Sequence, residues 1–230
     1  MTPEDYPAIR ARNVVLLKRA GFAPAEWFWT GPRYNNVRLR PLEDIARRLW
    51  AMNAVLSYVT LSRSAGTRAI HRCIEANGLR PYLLDHELAM LKPFRWLSHF
   101  KNIETVGWLA EHMHPLAWIL GLELPLEVEG AMGDERFIGR LTEFIGDFST
   151  PTTRWLAERQ GIRAEEQVIE AEDLFFLCHH AVRSAQLGQS TVPRGFDPVV
   201  SGMVIQAKRH SLSWAICPSS SWTEPTLCDT

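Results

Sequence analysis

The chain has 230 residues and a mass of 26.2 kDa, enough to bury roughly 70% of the surface its unfolded form exposes. Hydrophobic residues make up 46% and charged residues 22%, which excludes a disordered chain. Lys and Arg number 25 against 26 Asp and Glu, a net charge of −1, so no positive field is available to hold a phosphate backbone and no nucleic-acid partner is expected.

Helix punctuation recurs along the whole chain. Thr2-Pro3-Glu4-Asp5 offers a cap, a Pro at the first position and acids in the first turn, and Gly21 closes the segment. A loop over 21–40 follows, rich in aromatics (Phe22, Trp27, Phe28, Trp29 and Tyr34). The clearest helix opens at Pro41, where Leu42, Ile45, Leu49, Met52, Leu56 and Val59 recur at steps of three and four and form one apolar stripe. Further segments run from Thr67 to Asn77, from Pro81 to Lys92, and from Asn102 to Gly121 with a kink expected at Pro115. Asp134 to Phe148, a short helix after Pro151, Ala164 to Leu187, and a last helix after Asp197-Pro198 complete the set. The expected fold is all-α, about eight helices in a single domain over 1–230, with room for one short hairpin between Gly121 and Gly133 and a tail over 218–230.

The acidic start has no apolar segment behind it, so it does not read as a secretory signal. No run of about 18 apolar residues exists to span a membrane. Cys73, Cys178, Cys217 and Cys228 form no Cys-x-x-Cys pair. Reduced thiols in a cytoplasmic protein are the expectation, with most of them acting as small buried hydrophobes.

Few patterns carry chemistry. Glu111-His112-Met113-His114 contains a Glu-x-x-His, which places Glu111 and His114 on one helix face as weak candidate metal ligands. The second Glu-x-x-His of a di-iron bundle is missing, so no metal or other cofactor is expected. His179-His180 and Asp85-His86-Glu87 are adjacent in sequence and therefore point about 100° apart on a helix. Arg47-Arg48 and Lys208-Arg209 read as solvated helix faces. No nucleophile elbow, phosphate loop or His-Glu-x-x-His occurs.

Two readings of function follow. Nine tryptophans and the aromatic loop favour a protein-protein interaction or immunity-type module, with Trp27, Trp29 and Tyr34 as candidate anchors. The alternative is an enzyme with an acid–base or metal-assisted hydrolytic site built from Glu111, Asp173 and His179, with Arg183 and Arg209 beside them. The separating condition is geometric: these side chains must converge, with a carboxylate in reach of His179.

Four blocks resemble a bacterial family, domain of unknown function 4272. They are the opening helix with Arg12 and its LLKRAGF ending, RPLEDIARRLWAMNAVL from Arg40, EHMHPLAWILGL from Glu111, and EDLFFLCHHAVRSAQL from Glu172 followed by AKRHSLSW, Trp222 and Asp229-Thr230. In the family pattern Glu43, Ile45, Ala46, Arg47, Glu111, Trp118, Gly121, Asp173, His179 and Arg183 fit. The chain departs from it at Ala207 and over Phe176 to His180. The resemblance implies an all-α domain and no particular activity.

Overall fold

The computed structural model describes residues 6–25, 37–60, 66–92, 95–128 and 133–216. Among these residues the chain forms ten α-helices and no β-strand. They are α1 (Tyr6–Arg19), α2 (Leu42–Thr60), α3 (Thr67–Ala76), α4 (Asp85–Leu91), α5 (Arg95–Val106), α6 (Trp108–Ile119), α7 (Glu135–Ile145), α8 (Thr152–Ala157), α9 (Glu165–Gln186) and α10 (Val200–Ala215).

The apolar stripe read from the sequence organises the molecule. Ile45, Leu49, Met52, Leu56 and Val59 of α2 are all buried. Trp50, on another side of the same helix, is sealed edge-on between Phe148 and Trp155, 6.2 and 5.9 Å away. Because α2 is apolar around most of its girth, it can touch α3, α4, α5, α6, α7 and α8. The longest run of packing passes from α1 to α9, then α10, α6 and α2, each helix lying against the next. Most of the buried apolar side chains form one cluster that draws on every helix but α4, whose half-buried Leu88, Met90 and Leu91 pack against it.

The sequence reading needs four corrections. The expected helix from Asn102 starts earlier, at Arg95, and breaks at Gly107. Beyond that break, α6 runs on through Pro115. The segment from Pro81 is two pieces, a 3-10 turn over Arg80–Tyr82 and then α4. The described part of the 121–133 segment, residues 121–128 and 133, contains no strand. Finally, the two basic pairs are not plain solvated faces. Lys208 and Arg209 are buried, and the Arg48 side chain is only 12% exposed. α10 lies between α9 and α6, so most of its girth is covered and its basic residues had to find partners inside.

Candidate functional site

Five elements surround a cavity of about 310 Å3 at the start of α2. Arg40, Asp44 and Arg48 enter it from residues spaced four apart, one face of the α2 entry. Leu109, His112 and Leu116 line it from α6 at steps of three and four. His210, Ser211 and Trp214 come from α10, and Tyr82 and Glu87 from the 3-10 turn and α4. The floor is apolar and the walls carry a small number of polar groups, the usual make-up of a ligand pocket.

The polar walls are ordered by their own hydrogen bonds. Glu87 is fully buried. It takes a two-pronged contact from Arg48, with N–O distances of 2.6 and 2.9 Å. The backbone N–H of Leu84 also donates to it at 2.9 Å, which caps the first turn of α4. Arg48 donates to the Tyr82 carbonyl at 2.7 Å as well. The Tyr82 hydroxyl donates to Asp44, and burial, followed by that carboxylate, raises the tyrosine pKa. His112 and His210 stack with ring centroids 6.4 Å apart. His112 shares a 3.3 Å hydrogen bond with the Ser211 hydroxyl. Burial, then the charge of Arg48, pushes His112 down to about 4, so it is neutral at pH 7.

Arg40 is the exception among these cations. It is only 4% exposed. Its guanidinium lies over the Trp214 ring at 4.5 Å, and its Nε donates to the Trp214 carbonyl at 2.7 Å. Its Nη2 is buried without a hydrogen-bond partner.

The residues singled out from the sequence fall into separate places. Glu111 accepts from the Gly133 backbone N–H at 2.7 Å and faces Lys208 at 3.8 Å. His114 reaches the Leu124 carbonyl at 3.3 Å and packs edge-on against Phe137. Asp173 is bound by Arg10 and Asn13 of α1. His179 lies beside His180 and within the influence of Arg209, His210 and Arg183. Its Nδ1 is buried with no hydrogen-bond partner, so no carboxylate orients the ring through that atom. Arg183 is exposed and donates to Gln186. The Arg209 guanidinium covers the Phe176 ring at 5.0 Å. Glu111 and Asp173 thus serve different cations, and neither meets His179 to make an acid–base pair. Among the described residues no group of three His, Cys, Asp or Glu side chains could hold a metal ion. Trp27, Trp29 and Tyr34 lie outside the described residues.

Sequence reasoning missed Arg40, Tyr82 and His210. The four-residue spacing of Arg40, Asp44 and Arg48 was the one local signal available.

Fold and cavity define a helical domain with a small, polar-walled pocket. The chain belongs to the family described as domain of unknown function (DUF4272), whose model matches residues 10–225. No curated protein and no solved structure matches it. No described helix is long and apolar enough to cross a membrane.

Proposed function

We propose that the protein is a small-molecule-binding module whose ligand occupies the cavity at the start of α2. The observation that carries this reading is the convergence of polar side chains from five elements over an apolar floor in about 310 Å3. That volume is at the small end of the roughly 300–1,000 Å3 of ligand pockets, so the ligand is small. The buried free thiols of Cys73 and Cys178 suit a reducing compartment, in keeping with a bacterial cytoplasmic protein. The test is a melting-temperature screen of small acids, amines and neutral ring compounds. A ligand of the cavity raises the melting temperature by about 5 °C or more near saturation. It does not do so for Leu109→Trp, which fills the floor. A screen in which every rise persists in the filled variant would sink the reading.

An interaction or immunity-type role is the second reading, and one face of α5 favours it. Trp96, Phe100 and Ile103 are 57%, 74% and 40% exposed and follow at steps of four and three, so they form one apolar stripe on the surface. A stoichiometric protein partner held by the native chain and lost in Phe100→Ser, with helicity unchanged, would favour this role over small-molecule binding.

A further inference from the structure

We infer that the ligand is a small monocarboxylate with an apolar body, its carboxylate seated on the Arg40 guanidinium. This inference rests on the cavity reading above and adds the chemistry of what fills it.

The charges around the cavity account for the choice. Arg48 is matched by Glu87 through two hydrogen bonds. Asp44 is matched by the Tyr82 hydroxyl and has Arg47 at 4.0 Å. Arg40 has a carbonyl and an aromatic face, and no described carboxylate oxygen lies within ion-pair distance of it. A guanidinium carries five N–H donors, and a buried donor left without a partner is costly. Asp44 favours the Arg40 charge only from beyond ion-pair distance, so the arrangement leaves a desolvated guanidinium without an ion pair of its own, and with a donor unused, on the wall of the cavity.

An anion in the cavity gives that guanidinium an ion pair, and its form is constrained. Arginine pairs best with a planar carboxylate, which accepts two parallel N–H bonds. A dianion such as phosphate would bring a second negative charge close to Asp44 and Glu87. A single negative charge suits Arg40, which has no ion pair of its own where Arg48 has Glu87. Beyond Arg40 the floor is Leu109, Leu116 and the Trp214 ring. That surface favours an aryl or branched aliphatic body over a second polar group.

The probes are benzoate, its neutral isostere benzamide, and inorganic phosphate, titrated calorimetrically into the full chain. Benzoate should bind the native protein, with benzamide and phosphate weaker by about tenfold or more. Arg40→Met keeps an unbranched stem over Trp214 and removes the charge. It should weaken benzoate by about tenfold or more and leave benzamide nearly unchanged. Benzamide binding as tightly as benzoate, or phosphate binding more tightly, overturns the carboxylate inference while leaving the pocket in place. Binding of neither ring compound overturns this inference, and equal binding to Leu109→Trp overturns the pocket reading with it. Should Arg40→Met fail to fold by circular dichroism, the benzoate–benzamide comparison on the native chain decides alone.

Discussion

A carboxylate sealed from water must be met by donors, and Asp173 is met by three of them. Arg10 Nε and Nη2 donate to one oxygen at 2.8 and 2.6 Å, and Asn13 donates to the other at 2.9 Å. The pair ties α1 to α9 across 163 residues of sequence. Removing one partner of such a pair leaves the other charge buried and uncompensated, which usually costs about 3–5 kcal/mol. Asp173→Ala should therefore lose about that much in a urea titration, and a loss below about 1 kcal/mol would show that the contact is only a surface-type ion pair. The sequence singles out Glu111 by its Glu-x-x-His spacing, and Asp173 with it as a candidate acid–base partner of His179. It could not distinguish a structural ion pair from an acid–base pair, because Arg10, Lys208 and Gly133 are remote in the chain. Arg40 was unreadable for the same reason. Its burial depends on Trp214, 174 residues away.

At the scale of elements, helix existence was legible wherever an apolar stripe and a cap coincided, as in α2 and in α7 with its Asp134 cap. The break at Gly107 was not legible, since the side chains on either side of it continue to suit a helix. The end of α6 shows how much a single position can carry. Gly121 has φ +106°, and a Cβ there would lie 2.1 Å from the Gln160 carbonyl oxygen. The same close approach lets Arg163 N–H donate to the Ile119 carbonyl at 2.9 Å, which ties the start of α9's entry loop to the end of α6. Gly78 also has a positive φ, of +60°, but open space where a Cβ would go. The two glycines separate backbone strain from collision. Gly78→Ala should cost about 1 kcal/mol, the left-handed penalty alone. Gly121→Ala should cost about 3 kcal/mol or more, because two backbone segments must move apart. Equal losses in chemical denaturation would mean that the loop over 160–163 yields freely to the added methyl group.

For the molecule as a whole, the buried histidines set the response to acid. Burial is the first cause in each case, and it pushes His112, His114 and His179 down to about 4. Nearby charges act with it: Arg48, His210 and His86 on His112 against Glu87, and Lys208 and Arg140 on His114. A histidine in the unfolded chain takes up its proton near 6.5, whereas these resist until about 4. Between those values the unfolded state binds more protons, so stability is fully present above about 6.5 and falls as the pH drops toward 4. His112 and His114 can each contribute up to about 1.4 kcal/mol per pH unit in that window. His179 contributes less, since solvent reaches more of it. Ordinary carboxyl groups take up protons only at about 4, so a decline that begins near pH 6.5 belongs to the histidines. Denaturant titrations at pH 7.5, 6 and 5 should show this early decline, and His114→Leu should make it shallower by about one proton's worth. The substitution removes the bond to the Leu124 carbonyl, so absolute stability can fall at every pH, and the slope is the quantity that answers the question. A native profile that stays flat down to pH 5, or a variant whose slope matches the native one, would mean that these rings take up protons without unfolding the bundle.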